Sequence, residues 1–277
     1  MNKLDRKRQI QILNALTEGV SLRATSRMVD VSINTVTKLL VDVGRVCAEY
    51  QDKALRNLSC KRIQCDEIWS FVYSKAKNVP KKFRRKYGVG DVWTWTALDA
   101  DTKLVLSWLV GNRDARTGRI FMKDVASRLN NRVQLTTDGH KIYLEAVERA
   151  FGSDIDFSQI VKIYGADPKP ENTRYSPAKC LGAIPDNIQG SPDPAYVSTS
   201  YAERQNLTMR MNMRRFTRLT NGFSKKVENH AHAIALYFMH YNFIRIHKTL
   251  RVTPAMEGKV VDRLWKMGDI LDLLEKK

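Results

Sequence analysis

The stretch that decides the fold is RIQCDEIWSFVYS, residues 62–74, in which β-branched and aromatic residues follow one another as in a buried strand. Asp66 interrupts this apolar pattern, and a carboxylate inside a buried strand costs stability unless it has a partner. Asp66 is therefore a candidate functional residue. Its neighbour Glu67 points to the opposite face of a regular strand, so we do not expect it to be a ligand in the same site.

The sequence that follows alternates between strand and helix patterns. Two more strands, joined by a turn signal at residues 99–102, precede a helix, a strand, a helix and a further strand. The segments are VWTWTALDA (92–100), KLVLSWLVGN (103–112), ARTGRIFMKDVASRLN (115–130), RVQLTTD (132–138), KIYLEAVERAF (141–151) and QIVKIYG (159–165). We predict an α/β fold, with a mixed sheet of three antiparallel strands plus parallel strands and flanking helices. This order matches the ribonuclease-H-like fold.

The C-terminal half contains a segment of a different kind. Residues 166–200 hold six of the eight prolines and little periodicity, so we predict a long irregular insertion there. A helix, SYAERQNLTMRMNMRRF (200–216), is expected next with Ser200 as its N-cap, and a second long helix is expected over residues 228–249. We place the catalytic domain at residues 61–255 and a C-terminal helical tail at residues 256–277.

The N-terminal residues 1–50 predict an all-α unit of three helices. Ser21 and Ser32 are placed as N-caps of the second and third helices, with a tight turn at residues 29–31 between them. This pattern predicts a helix-turn-helix domain, joined to the sheet by a helical connector at residues 51–60. The last helix of such a unit enters the major groove, while the preceding helix meets phosphates. The residues expected to contact DNA here are Arg23, Arg27, Ser32, Asn34, Thr35 and Lys38.

The charge of the chain indicates a polyanionic partner. There are 47 Lys and Arg against 29 Asp and Glu, which gives a net charge of +18, and nucleic acid is the commonest partner for such an excess. Residues 75–86 and 204–226 carry seven bases each, arranged as phosphate contacts require. The residues expected to contact double-stranded DNA from these two stretches are Lys81, Lys82, Arg84, Arg85, Asn206, Arg210, Arg214 and Arg215.

Two further acids stand out beside Asp66. Asp138 ends a predicted strand, and Glu203 is the only acid between residues 196 and 226. Cleavage of a phosphodiester by two metal ions requires carboxylates that converge from separate elements, and Mg²⁺ prefers carboxylate oxygens. We therefore predict Asp66, Asp138 and Glu203 as catalytic ligands of two Mg²⁺ ions, for which Mn²⁺ would substitute.

Several motifs in one order resemble transposases of the insertion-sequence-one family. They are CDEIWSFV, NRDARTGRIFMKDVASRL, TTDGH, YAERQNLTMRM with RRFTRLTNGFSKK, and HYNFIRIHKTLRVTPAM, and together they span roughly residues 60–256. The resemblance implies a ribonuclease-H-like catalytic domain whose Asp-Asp-Glu triad falls on Asp66, Asp138 and Glu203. It also implies metal-assisted hydrolysis at the element ends, followed by attack of the freed 3′-OH on target DNA without a covalent protein–DNA intermediate.

The resemblance also suggests residues that support the carboxylates, and the chain differs from the family in one respect. His240, Asn242 and His247 match the closing motif of the family and, with His140 beside Asp138, are candidates for a supporting role around the site. Members of the family often begin with a cysteine zinc module. This chain starts at the helix-turn-helix, so no zinc is expected.

Two alternatives to a cutting transposase remain open. One is a helix-turn-helix regulator, or a derived transposase that binds DNA without cutting it, and the other is a different ribonuclease-H-like nuclease. The four cysteines show no disulfide spacing, and no apolar run approaches the roughly 20 residues that span a bilayer. We expect a cytoplasmic protein at the bacterial nucleoid that acts on terminal repeats and target DNA as a homodimer or higher assembly, with no membrane partner.

Overall fold

The structure, a computed structural model, describes residues 4–84, 86–165, 180–217 and 221–275. Within these residues a six-stranded mixed sheet has the strand order β3-β2-β1-β4-β5-β6. The strands are β1 (Arg62–Val72), β2 (Gly90–Asp99), β3 (Val105–Gly111), β4 (Gln134–Asp138), β5 (Asp156–Tyr164) and β6 (Cys180–Gln189). The helices are α1 (Arg6–Thr17), α2 (Leu22–Val29), α3 (Ile33–Ala54), α4 (Ala115–Arg128), α5 (Ile142–Phe151), α6 (Ser200–Asn212), α7 (Val227–Met239), α8 (Pro254–Glu257) and α9 (Met267–Glu275).

Strand β1 lies at the centre of the sheet, as its apolar sequence predicts. It pairs antiparallel with β2 and parallel with β4, while β2 and β3 form an antiparallel pair and β4 and β5 a parallel one. Gln64 of β1 pairs with Thr136 of β4. Asp66 and Asp138 stand two residues further along these parallel strands, so the register brings them to the same level of the sheet.

Helices cover both faces of the sheet, which is consistent with the predicted ribonuclease-H-like α/β fold. On one face Trp95 of β2 is fully buried against Phe121 of α4 and Tyr143 of α5, with ring centroids 5.8 and 5.5 Å away. On the other face α6 packs on β1, and Phe238 of α7 lies 6.1 Å from Trp108 of β3. Large aromatic side chains thus fill both layers and fix the helices against the sheet.

Three N-terminal helices form as predicted, with Ser21 and Ser32 as N-caps that accept backbone hydrogen bonds from Ala24 and Asn34. Helix α3 continues to Ala54, beyond the predicted limit of the domain, because its apolar stripe extends along α7. The two helices approach closely at Gly44, where an added Cβ would lie 2.7 Å from the backbone of His232. The predicted connector therefore begins as the last turn of α3.

Three segments in the C-terminal half differ from the predictions. Residues 180–189 of the predicted insertion form β6 instead of irregular chain, with Pro185 opposite Ile160, because an edge strand tolerates proline, and residues 166–179 of that insertion lie outside the described residues. Ser200 is the first residue of α6 and Thr199 occupies the N-cap position, so the predicted cap is wrong by one residue.

The helix predicted over residues 228–249 is also interrupted. Helix α7 ends at Met239 and continues as a π-helical turn (His240–Ile244), after which residue 245 has extended backbone. The α-helix gives way to this turn where the side chain of Asn242 forms hydrogen bonds with the backbone of Val105 in β3. No helix in the described parts of the chain is long and apolar enough to cross a membrane.

Candidate active site

The two aspartates meet where the sheet opens beside β1. Strand β4 ends at Asp138, whereas β1 continues to Val72, so in the described parts of the chain no strand pairs with β1 on that side beyond Asp66, and only Val72 forms a bridge there, to Ser224. Carboxylate oxygens of Asp66, Glu67 and Asp138 lie within 4.8 Å of one another at this edge. Side chains from both faces of β1 can converge there because no pleated neighbour separates them.

Glu67 lies on the opposite face of β1 from Asp66, as the alternation of a strand predicts, but its carboxylate still reaches the edge. Its side chain is completely buried, and Arg113 donates from Nε to Glu67 Oε1 over 2.9 Å. The hydroxyl of Tyr143 donates to the other oxygen over 3.3 Å. A second guanidinium nitrogen of Arg113 lies 3.4 Å from Asp138. Glu67 is thus joined to Asp138 through Arg113, and its exclusion as a ligand stays a prediction.

The electrostatics of this cluster favour a bound cation. Burial, with Asp138 nearby, raises the pKa of Asp66 to about 6. Burial and the charge of Asp138 raise the pKa of Glu67 to about 7, although the hydrogen bond from Arg113 opposes this rise. Three acids held this close repel one another, and a positive charge added to the one that Arg113 supplies would favour the ionised form of all three. The oxygen-only donors are those that Mg²⁺ and Mn²⁺ prefer, so the residues fit a divalent ion.

Helix α6 is fastened along β1 by two polar side chains of the strand. Gln64 Oε1 accepts hydrogen bonds from the backbone nitrogens of Tyr201 and Ala202, at 2.8 and 3.1 Å. The side-chain nitrogen of Asn206 donates to Asp66 Oδ2 over 2.8 Å. Gln64 thus satisfies free N–H groups of the first turn, and the two contacts set both the position and the rotation of the helix.

Glu203 lies on α6 between these two contacts. It is close enough to Asp66 to add to the rise in that residue's pKa, yet it is not one of the three acids whose oxygens lie within 4.8 Å. Its carboxylate accepts from Lys162 Nζ of β5 and from the Thr199 hydroxyl, each over 2.6 Å. The structure therefore brings Asp66 and Asp138 together and places Glu203 beside them, paired with a lysine.

Of the predicted supporting residues, His140 lies nearest the carboxylates. Its backbone nitrogen donates to Asp138 Oδ1 over 3.1 Å, and its Nδ1 accepts from the nitrogen of Ile142 over 3.2 Å. Burial and Arg113 lower the pKa of the ring, so the neutral form is favoured. Because Nδ1 is an acceptor, the proton of that neutral ring belongs on Nε2.

The other three supporting candidates make contacts elsewhere. Both polar atoms of the Asn242 amide bond the backbone of Val105, at 3.1 and 2.9 Å, which fastens the π-helical turn to β3. His240 begins that turn and burial lowers its pKa, while His247 Nδ1 lies 3.0 Å from the Thr249 hydroxyl. A role of these residues at the carboxylates stays a prediction.

The predicted DNA contacts of the N-terminal helices lie at the surface. Arg23 and Arg27 on α2 are exposed, as are Ser32, Asn34 and Lys38 at the start of α3, whereas Thr35 is half-buried. Ser32 also caps its helix. The surface is thus available to DNA, and its use as a helix-turn-helix stays a prediction.

The residues of the two basic stretches differ in exposure and in their contacts. Lys81, Lys82 and Arg84 are exposed, and Arg84 lines a cavity of about 340 Å³, while Arg85 lies outside the described residues. Arg214 is exposed, but Arg215 donates to Ser224 Oγ over 2.8 Å, and burial lowers its pKa to about 10.

The DNA contacts predicted at residues 206, 210 and 214 do not lie together on the exposed surface of α6. Asn206 is buried and bonds Asp66, so it lies at the carboxylates and is turned away from solvent. The helix ends at Asn212, and Arg214 stands in a following 3₁₀ turn (Arg214–Phe216). Of these three residues, Arg210 is half-buried on the helix.

Three residues of the site were missed by the sequence analysis. Gln64 could have been found from its position two residues before Asp66, which puts both on one face of the strand. Arg113 lies in the quoted motif NRDARTGRIFMKDVASRL, directly after a predicted strand. No local pattern points to Lys162, because its partner Glu203 is 41 residues away.

Comparisons with known proteins give structural neighbours only. No model of a protein family matches the sequence, and no curated protein matches it significantly. Among solved structures the chain is similar to the piggyBac transposase synaptic complex with hairpin DNA, with 9% identity and a TM-score of 0.45, over 100% of this chain and 73% of that one. It is also similar to the Mos1 Strand Transfer Complex, with 12% identity and a TM-score of 0.24, over 85% of this chain and 78% of that one. Both TM-scores are below 0.5, so these similarities are not evidence of function.

Proposed function

We propose that this protein is a DNA transposase of the Asp-Asp-Glu type, in which Asp66, Asp138 and Glu203 hold two Mg²⁺ ions or Mn²⁺ in their place. The observation that carries the proposal is the meeting of Asp66 and Asp138 at the open edge of the sheet, beside the helix that presents Glu203. Bound at these carboxylates, the ions would stabilise the attacking and the leaving oxygen during cleavage of a phosphodiester.

Three residues outside the triad position or neutralise its carboxylates. Asn206 orients the carboxylate of Asp66, and Gln64 holds the first turn of α6, which carries Glu203, against β1. Lys162 neutralises Glu203 and has to release it when that carboxylate takes up a cation. The side chain of Glu203 is 42% exposed, so it can turn from the lysine towards Asp66 without repacking of the core.

We further propose that the substrate is double-stranded DNA with the terminal repeats of an insertion sequence. The exposed start of α3, with Asn34 and Lys38, would read bases in the major groove, and Arg23 and Arg27 would meet phosphates. The net charge of +18 supports a polyanionic substrate. Since two ends have to be joined to one target, we propose that the protein acts as a homodimer or larger assembly. We also propose that it is a transposase of the insertion-sequence-one family and that it is located in the cytoplasm.

The test is a nicking assay on DNA with the terminal repeats of the element, in Mg²⁺ or Mn²⁺. Asp66→Asn, Asp138→Asn and Glu203→Gln should each abolish nicking while DNA binding stays within about twofold, because each removes a metal ligand and no DNA contact. The matched control is Glu145→Gln, an exposed carboxylate paired with Arg119 and Arg149. It should cut like the wild type. Normal cutting by all three site variants would overturn the assignment.

A second measurement separates a cutting enzyme from a non-cutting DNA binder. Mn²⁺ binding, followed by electron paramagnetic resonance, should weaken in each of the three site variants and stay unchanged in Glu145→Gln. Wild-type protein that binds the repeats but takes up no Mn²⁺ at these carboxylates would be a DNA-binding regulator.

A further inference from the structure

Arg113 is held in one orientation by three contacts on different sides. Its Nε donates to the buried Glu67 over 2.9 Å, and one terminal nitrogen lies 3.4 Å from Asp138. The guanidinium carbon stands 4.8 Å from the centroid of the Trp93 ring, at cation–π distance. The plane of the guanidinium is therefore fixed before any substrate binds.

Part of this guanidinium is left for a ligand. Nη1 has no hydrogen-bond or ion-pair partner in the described parts of the chain, and the side chain is 34% exposed. An arginine carries five N–H donors in a planar fork that matches the oxygens of a phosphate. Unused donors on a fixed fork, directly beside Asp138, are suited to an anion that enters the site.

The burial of Glu67 is explained by this arginine. An acid with a fully buried side chain is costly unless it is paired and hydrogen-bonded, and Arg113 and Tyr143 provide both. The contact of Arg113 to Glu67 is shorter than that to Asp138. The guanidinium is thus anchored mainly by Glu67, and it can give up its contact to Asp138 and keep its position.

We propose that Arg113 contacts a non-bridging oxygen of the DNA phosphate that enters the carboxylate site, and that Glu67 is the positioning residue that holds Arg113 for this contact. This inference rests on the proposed function, since it takes DNA phosphate as the ligand. Arg113 stabilises the negative charge that develops on the phosphate group. No covalent bond between Arg113 and the DNA forms or breaks. The alternative is that the Arg113 guanidinium only blocks Asp138 and contacts no phosphate. In that case, cutting should become faster when Arg113 is replaced.

The first test uses inorganic phosphate and Mn²⁺, and so does not depend on cutting. Phosphate that binds next to Mn²⁺ shows enhanced ³¹P relaxation. Arg113→Gln should lower that enhancement at least fivefold while Mn²⁺ affinity stays within about threefold or increases. Arg113→Lys should give an intermediate value, because it keeps the charge but loses the fork. Arg116→Gln, an exposed arginine three residues on, is the control and should match the wild type.

The second test measures nicking of the terminal-repeat DNA. Arg113→Lys should lower kcat about 100-fold with KM for DNA within about threefold, as expected for a donor that acts on transition-state charge. Glu67→Gln should lower kcat less and leave KM unchanged. Unaltered phosphate relaxation in Arg113→Gln, or a kcat that is unchanged or raised in Arg113→Lys, would overturn the inference.

Failure of the proposed function gives a different result. In that case the Asp66→Asn protein cuts like the wild type, or the wild type does not cut at all. The phosphate measurement still decides the role of Arg113, because it needs only Mn²⁺ and a folded chain. Arg113→Lys is included for the case in which Arg113→Gln fails to fold.

Discussion

The side chain of Asn206 donates a hydrogen bond of 2.8 Å to Asp66 Oδ2, and so joins helix α6 to the middle of strand β1. Glu203 stands three residues earlier on the same helix, which places the two side chains on neighbouring positions of one helical face. One hydrogen bond therefore orients an aspartate of the site and fixes the helix that carries the glutamate.

Replacement of Asn206 by alanine should impair the site more than the fold. We expect Mn²⁺ affinity and nicking rate to fall 10- to 100-fold, the usual effect of losing a group that orients a metal ligand. The free energy of unfolding should fall by about 1–3 kcal/mol, because a buried carboxylate loses a donor. Leu207→Ala, at the exposed neighbour on the same helix, is the control for both measurements. Normal nicking by Asn206→Ala would show that the amide does not orient Asp66.

Gln64 should control the attachment of α6 to the sheet. Gln64→Leu keeps the volume but removes the acceptor of the Tyr201 and Ala202 nitrogens, so two N–H groups at the start of α6 lose their partner. Hydrogen exchange over residues 200–212 should then accelerate at least tenfold, with exchange in α4 unchanged.

The matched variant Gln64→Glu keeps the oxygen and places a negative charge at a helix N-terminus, where it is favourable. It should restore slow exchange over residues 200–212. Equal protection of this segment in the leucine variant and the wild type would contradict a role of Gln64 in holding the helix.

The sheet and the two aspartates could be predicted because their signals are local. The apolar run around Asp66 and the strand that ends at Asp138 each need only their own residues to be recognised. The register that brings them to the same level follows from the parallel pairing of β1 and β4. The three helices of the N-terminus and their serine caps were predictable for the same reason.

The rest of the site depends on contacts between residues far apart in the sequence. Asn206 lies 140 residues from Asp66, and Arg113 lies 46 residues from Glu67, so neither pair leaves a local pattern. Strand β6 was missed because Gly182 and Pro185 disguise an edge strand, whose pairing is supplied by β5. The early end of α7 was missed because Asn242 acts on the backbone of β3, across the fold.

Arg214 and Arg215 should behave differently, although they are neighbours in one basic cluster. Arg214 is exposed, so Arg214→Gln should weaken DNA binding and reduce the slope of log K against log salt by about 0.9, the value for one phosphate contact. Its melting temperature should stay within about 1 °C of the wild type, since surface substitutions rarely change stability.

Arg215→Gln should act on stability instead. The guanidinium of Arg215 donates to Ser224 Oγ and to the carbonyl oxygen of Asn229, and their loss should cost about 1–3 kcal/mol of unfolding free energy. Urea unfolding and a salt series of DNA-binding titrations distinguish the two outcomes. A salt slope that falls in Arg215→Gln with unchanged stability would place this arginine at the DNA.

The buried His230 should make the stability of the protein depend on pH. Its Nε2 lies 3.2 Å from Ser70 Oγ and its Nδ1 lies 3.0 Å from Ser224 Oγ, and the ring is fully buried. Burial, with Arg215 nearby, lowers its pKa from 6.5 to about 3. The unfolded chain therefore binds a proton below pH 6.5 that the folded chain does not bind.

The contribution of His230 is fully present above pH 6.5 and is lost as the pH falls from 6.5 towards 3, by up to about 1.4 kcal/mol per pH unit. In His230→Gln the amide can still bond both serines, and the free energy of unfolding should fall less steeply between pH 7 and 5. His232→Gln, at a half-buried position on the same helix, should keep most of the wild-type slope. Urea unfolding at pH 7, 6 and 5 measures the three slopes, and an equal slope for wild type and His230→Gln would show that His230 is not the group whose protonation destabilises the fold.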